Sequence, residues 1–435
     1  MPNADPVSLL RAALAAWPQG GLLVALSGGP DSTALLHALS AQPEARARGL
    51  RALHVDHGLH AASAEWAAQA RAACRSLGVD FELRAVVVEG RGSGLEAAAR
   101  EARRSALREV QREGEIVVMA HHAGDQAETL LWRLARGAGP EGLAAMRPLR
   151  RFGRGWLARP WLGLPRDAIL RYLDRHALRA IADPANADPR HDRNYLRHGV
   201  LPALRQRWPH VDEALARSAG LLAGAARLLR AQARQRLACW RGLDPATLRV
   251  EPLAAATASL RGAVLREWLL DLGLAPPGAR ALATIEQELL RARRDAAPRV
   301  RWPGAELRRH RGWLHAMAPL PAPPRAYALE WDGRAPLRLP GELGWLRLEG
   351  APLPGTVRVE PRRGGERIRL VPGGPQRELK HVLQELGVPP WQRARLPLLW
   401  RDQTLLAAGD LACDPAFRAG GARLRWLPAA TVAGD

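Results

Sequence analysis

Two hydrophobic rhythms alternate along the first part of the chain. Over residues 7–17 (VSLLRAALAAW) apolar positions recur at helical spacing, while GLLVAL (21–26) is a short unbroken apolar run, as a strand buried on both faces requires. The exchange then repeats. DSTALLHALS (31–40) predicts a helix, LRALHV (50–55) a strand, 61–77 a helix and FELRAVVV (81–88) a strand. Residues 94–112 predict a helix, EIVVMA (115–120) a strand and 125–136 a further helix. Short apolar strands separated by longer helices predict an α/β fold with a parallel, doubly wound sheet. Such sheets bind ligands beyond the carboxyl ends of their strands. Three of the four candidate strands end there in polar or glycine-rich turns, SGGPDS, DHG and HHAGD, so the pattern predicts one shared site.

Downstream the rhythm changes. Residues 165–176 are helical in pattern, and DPANADPRHDRNYLRHGVLPAL (183–204) runs from a polar loop into a helix. From about 210 to 295 Ala, Leu and Arg recur at helical spacing without strand-like alternation, which predicts a small helical domain. LPAPPR (320–325) has the clustered prolines of a linker. Short segments at 337–350 and 356–362 predict a β-rich C-terminal region interrupted by one helix at 377–387. The expected division is therefore 1–205 for the α/β domain, 206–320 for a helical middle domain and 326–435 for a small α+β C-terminal domain.

Composition narrows the function. A chain of 435 residues exceeds one ordinary core. Its start lacks a basic stretch followed by an apolar run, and its apolar stretches break well before membrane-spanning length. Cys74, Cys239 and Cys413 lie far apart with no CxxC pair, which argues against a disulfide framework, a zinc site or an iron–sulfur cluster. The expected address is a reducing cytoplasm, with no membrane contact. The formal charge of +21 points to a polyanionic partner, nucleic acid foremost, although biased base composition also produces arginine excess. Lys380 is the single lysine.

Chemistry concentrates in three strings. In SGGPDS (Ser27, Gly28, Gly29, Pro30, Asp31, Ser32) two glycines let backbone N–H groups approach an anion, and the following helix adds its positive end. The string also suits an ordinary helix start. It is no Walker A loop, which places a lysine before its Ser/Thr. HVDHGL (54–59) puts Asp56 and His57 at the end of the next strand, where an ordinary turn is the competing reading. In AHHAGDQAETLLWRLARGAG (120–139) the i,i+3 spacing of Asp125 and Glu128 sets both carboxylates on one helix face, with His121 and His122 just before it. His121 and Asp125 also have metal-ligand spacing, but no third or fourth ligand stands nearby.

The strand–SGGxDS–helix resembles the PP-loop ATP pyrophosphatases, which cleave ATP between its α- and β-phosphates. HHxxDQxET followed by RxxRGxG resembles one family among them, the tRNA(Ile)-lysidine synthetases. Segments 95–107, 159–173, 183–204 and 364–411 fit in the same order, so the resemblance covers nearly the whole chain. It implies ATP and Mg²⁺ as cofactors, with free L-lysine and a CAU-anticodon isoleucine tRNA as substrates. ATP would adenylate the wobble cytidine's C2 oxygen, and lysine's amine would then expel AMP to leave lysidine. No obligate protein partner is implied. Ser27, Gly28, Gly29, Pro30, Asp31, Ser32, Asp56 and His57 would contact the nucleotide, Asp31 through Mg²⁺. Asp125 and Glu128 would hold lysine's ammonium. An arginine from Arg100, Arg104, Arg193 or Arg197 would offset charge during adenyl transfer, Arg104 and Arg193 being the two selected. Lys380, Arg393 and Arg395 would contact tRNA, while Trp391 stacks on RNA or packs a domain corner. One departure is Gly124, where many relatives carry an aspartate. A thiolation enzyme of the same fold would need the missing cysteines. A GMP synthetase-like enzyme would need an amidotransferase partner. A non-catalytic RNA-binding protein would have no use for an intact phosphate loop and carboxylate pair.

Overall fold

The computed structural model describes residues 5–58, 60–88, 95–181, 192–293, 296–353, 355–419 and 421–427. The chain divides into two compact units, Met1–Leu229 and Arg230–Asp435.

The first unit is built on six strands: β1 (Leu22–Ala25), β2 (Leu50–Asp56), β3 (Asp80–Ala85), β4 (Ile116–Val118), β5 (Leu149–Phe152) and β6 (Gly155–Ala158). Their order is β3-β2-β1-β4-β6-β5, parallel throughout except for the β5–β6 hairpin. The doubly wound parallel sheet is thus as expected; the edge hairpin is an addition, its strands only four residues long and one of them, β5, carrying two arginines. Helices α1 (Pro6–Ala16), α2 (Pro30–Ser40), α3 (Pro43–Ala47), α4 (Ser63–Ser76), α5 (Leu95–Val110), α6 (Ala123–Ala135), α7 (Pro140–Leu143) and α8 (Arg166–Arg175) connect and cover it. Leu22 and Val24 of β1 face a core shared with Leu35, Leu36 and Leu39 of α2, Leu10 and Leu14 of α1, and Trp161. Leu23 faces the other layer, with Leu53, Val117, Phe152, Leu157 and Leu107 of α5. Burial on both faces explains why β1 and β4 read as unbroken apolar runs rather than alternating ones. The sheet's winding reverses between β1 and β4, and the crevice at such a switch point is where these folds bind ligands.

After α8, residues 182–191 lie outside the described residues, so the polar loop expected at 183–191 is not assessed. The chain continues as α9 (Asp192–Tyr195), a π-helical turn (Leu196–Val200) and α10 (Leu201–Arg207). Pro202 begins α10 and has no N–H to close a regular turn onto residue 198, which fits the widened turn before it. That turn carries Arg197. Helix α11 (Val211–Trp240) follows.

The second unit begins with the expected helices: the end of α11, α12 (Val250–Ala255), α13 (Ala258–Asp271) and α14 (Ala279–Thr284). They enclose a sheet absent from the helical expectation: β7 (Thr247–Arg249), β8 (Arg299–Trp302), β9 (Ala305–His310) and β10 (Trp313–Met317), in antiparallel order β7-β10-β9-β8. Leu248, Val300, Leu307 and Leu314 turn inward onto Trp268 and Ile285. Arginines on the outer faces of these short strands dilute the alternation. The C-terminal part is β-rich as expected, with a five-stranded sheet, a three-stranded sheet and a hairpin. The helix expected at 377–387 is α15 (Leu379–Glu385). Among the described residues no helix is long and apolar enough to cross a membrane.

Candidate active site

The phosphate-loop string closes on itself. Gly28 has φ +82°, and a Cβ there would lie 2.3 Å from Ile181 Cδ1, so both backbone and space require glycine. Gly28 O accepts from Ile181 N at 2.9 Å and from Thr33 Oγ1 at 3.1 Å, tying the loop from two sides. Gly29 caps α2 and Pro30 opens it, where the missing N–H costs nothing. Ser27 Oγ and Ser32 Oγ lie 3.0 Å apart, and Ser32 Oγ donates to Gly29 O at 3.1 Å. The unsatisfied N–H groups of α2's first turn therefore lie at the carboxyl end of β1.

Among the described residues Asp31 Oδ1 is buried without a hydrogen-bond partner, and Arg166 Nε lies 3.9 Å away. Burial pushes the carboxyl above its ordinary range and Asp125 adds to this, against His122, Arg166 and Arg197.

At the end of β4, His122 caps α6. Its Nδ1 accepts from Gly124 N at 3.0 Å while its own N–H donates to Asp125 Oδ2 at 3.0 Å. A Cβ at Gly124 would sit 2.9 Å from His122 Cε1, so this cap leaves little room for a side chain there. Glu128, one turn on, is 2% exposed. Between the two carboxylates lies Arg197: Nε donates to Glu128 Oε1 at 2.6 Å, and Nη2 to Glu128 Oε2 and Asp125 Oδ1, each at 3.1 Å. Burial raises the Glu128 carboxyl beyond what Arg197 offsets. For Asp125 burial acts the same way, but His122, His121 and Arg197 together hold it below the ordinary range. On Arg197, burial is outweighed by Glu128, Asp125 and Asp31, and its guanidinium is held all the more firmly charged.

Sequence spacing gives the carboxylate pair; it gives no sign that a guanidinium already bridges it. Of the four candidate arginines, Arg197 joins both acids. Arg193, expected to offset charge during adenyl transfer, donates to Thr129 Oγ1 at 3.2 Å on the next turn of α6. Arg104, expected to do the same, lies on α5 with its Nε buried and unbonded, 3.8 Å from Glu101. Asp56 folds into a local turn, accepting from Gly58 N at 2.8 Å. His57 meets Arg103 at 3.4 Å, and burial with Arg103 pushes it down to about 4.

In the second unit Lys380 is exposed on α15. Arg393 donates to Val388 O. Arg395 is buried, with its guanidinium on Pro321 O at 2.7 Å and Glu342 O at 3.0 Å, so it braces the chain internally instead of facing RNA. Trp391 packs edge-on against His315 at 5.2 Å with the Arg308 guanidinium over its ring.

A glycine-bounded anion cradle at the switch point of a doubly wound parallel sheet, without a Walker lysine, defines the PP-loop class, and residues 7–204 match the PP-loop domain family. Residues 248–315 match the TilS substrate binding domain, and 357–427 the TilS substrate C-terminal domain. The chain is 45% identical over 427 residues to the tRNA(Ile)-lysidine synthase of Xanthomonas axonopodis pv. citri, covering 96% of each chain. It is 42% identical to those of Alkalilimnicola ehrlichii, over 96% of each chain, and Pseudomonas aeruginosa, over 98% of each. This chain belongs to the tRNA(Ile)-lysidine synthase family.

Proposed function

We propose that the protein ligates free lysine to the wobble cytidine of a CAU-anticodon isoleucine tRNA, through an adenylated cytidine, releasing pyrophosphate and then AMP. Full-length similarity to the family supports this reading, and one structural observation supports its chemistry: three carboxylates, Asp31, Asp125 and Glu128, gather beside an anion cradle. Opposite charges side by side suit a reaction that brings together phosphates, a metal ion and an ammonium group.

The loop from Ser27 to Ser32 would hold the ATP phosphates by α2's N–H groups and the two hydroxyls. Asp31, with an unbonded buried oxygen, fits Mg²⁺. Among the described residues no three His, Cys, Asp or Glu side chains are placed to hold a metal, so the ion would be shared with phosphates and water. Bound Mg²⁺ would screen the charge that builds on the phosphates during adenyl transfer. Asp125 and Glu128 are proposed to attract lysine's ammonium, with Arg197 setting the distance between them. Asp31, Asp125 and Glu128 outnumber that guanidinium, so the cluster still favours a cation. Arg193 and Arg104 are retained as the arginines that offset charge on the acceptor side, and Asp56 and His57 as flanking the nucleotide. The division into a catalytic domain (1–205), a middle domain (206–320) and a C-terminal tRNA-binding domain (326–435) is part of the proposal. So are RNA contacts by Lys380 and Arg393, from which Arg395 is withdrawn.

The test is incorporation of labelled lysine into the CAU-anticodon transcript with Mg·ATP, with AMP counted against lysidine. One AMP per lysine incorporated is expected. Absence of incorporation into this RNA, with thiolation under a sulfur donor, overturns the reading.

A further inference from the structure

The two histidines before α6 play different parts. His122 is consumed by the cap. His121, still at the carboxyl end of the sheet, turns instead toward Arg159, the residue after β6. Arg159 Nε donates to His121 Nδ1 at 3.1 Å, and its Nη1 donates to Arg147 O at 3.1 Å. Arg159 is 8% exposed, and these two bonds hold its guanidinium in place. A guanidinium N–H can only donate. His121 Nδ1 must therefore carry the lone pair, and the ring's proton sits on Nε2. The residue is half-buried, and among the described residues no hydrogen bond to Nε2 is found.

The surroundings enforce the neutral form. Burial, then Arg159, Arg193 and Arg100, act against Asp125 and push the imidazole down to about 3. Arg159 is itself pushed down to about 10 by burial and by Arg150, Arg104, Arg100 and Arg133, which leaves it charged at neutral pH. The cleft so has a cationic side around His121 and an anionic side around Asp31, Asp125 and Glu128.

We infer that Arg159 is a positioning residue that locks His121 as a neutral Nε2–H donor, and that this N–H bonds the substrate oxygen on which negative charge develops during adenyl transfer. This rests on the reaction proposed above. The proton stays on Nε2 throughout, so no bond forms or breaks at His121, and it is not the base that accepts lysine's ammonium proton. Preorganised donors of this kind act by stabilising developing charge without reorganising.

Two measurements on the full chain test it. The first needs no substrate, so it stands or falls apart from the proposed reaction, which wild-type lysine incorporation tests. In protein labelled with ¹⁵N-histidine, the signal lost in His121→Gln should show a protonated Nε2 and a bare Nδ1, unchanged from about pH 5.5 to about pH 8.5. Arg159→Met should mix the tautomers. A protonated Nδ1 in the wild type, or titration within that range, overturns the lock. The second measures tRNA-dependent pyrophosphate release. His121→Ala should lower kcat about 10²-fold with the KM for Mg·ATP nearly unchanged, and His121→Gln, whose amide N–H reaches the Nε2 position, should recover about tenfold. Equal loss in both variants, a loss carried by KM, or a pH–rate limb present in the wild type and missing from His121→Gln overturns the donor role.

Discussion

The phosphate loop and the carboxylate cluster of α6 share one cleft but are made in opposite ways. The loop is mainly local: Ser27, Gly29, Ser32 and Thr33 bond within the string and its helix, the conformation follows from Gly28, Gly29 and Pro30, and one bond from Ile181 N to Gly28 O comes from farther along the chain. The cluster is assembled at long range. Asp125 and Glu128 come from the helix after β4, and the guanidinium that bridges them comes from Arg197, 69 residues beyond Glu128. A local device tolerates change elsewhere in the chain. An assembled one couples chemistry to stability, because each buried charge depends on a partner from another segment.

Substitutions can break or sharpen that contrast. The largest effect is expected at the loop: Asp31→Ala should lower AMP formation by about 10³-fold or more while stability changes little, as activity assays beside denaturation curves would reveal. At the cluster, Arg197→Met should do the reverse first, costing about 3 kcal/mol because it strips Glu128 of its guanidinium and leaves Asp125 with the His122 N–H alone. Urea unfolding measures it, and an unchanged midpoint would mean the bridge is incidental. Glu128→Gln should slow lysine transfer about 10²-fold and adenylation much less; stepwise assays that found adenylation the more damaged would move the ammonium site elsewhere.

A smaller effect follows from protonation. Burial raises the Asp31 carboxyl above its ordinary value of 3.8, so its contribution to stability is present below that value and lost as pH rises through the folded-state pKa. Asp125 is held low, so its contribution is present above 3.8 and lost as pH falls. Asp31→Asn should therefore stabilise the ligand-free protein at pH 7–8 and give no gain near pH 4, a difference that thermal melts at both pH values would resolve. The smallest effect belongs to the second unit: Lys380→Ala should raise the KM for tRNA about twofold to fivefold, as one exposed phosphate contact would. Arg395→Ala should lower the melting temperature instead.

Much of this was legible in the residues. Strands buried on both faces favour unbroken apolar runs, so β1 and β4 declared a parallel sheet, and the polar ends of β1, β2 and β4 marked the cleft. The middle sheet stayed hidden because Arg299 and Arg301 occupy the outward positions of β8, and Glu306, Arg308 and Arg309 interrupt the apolar alternation of β9, in strands only four to six residues long. Arg395 misled for a related reason: in a chain this rich in arginine, a guanidinium bracing two carbonyls reads the same as one facing RNA.

The sequence by itself determined the sheet, the phosphate loop and the spacing of Asp125 and Glu128, because each depends on periodicity or on backbone limits within a few residues. Only the tertiary structure decided that Arg197 joins the two carboxylates and that Arg159 sets the His121 proton. Those pairings depend on segments dozens of residues apart meeting where little water competes. There the direction of one N–H bond fixes a tautomer, and one guanidinium fixes the separation of two acids.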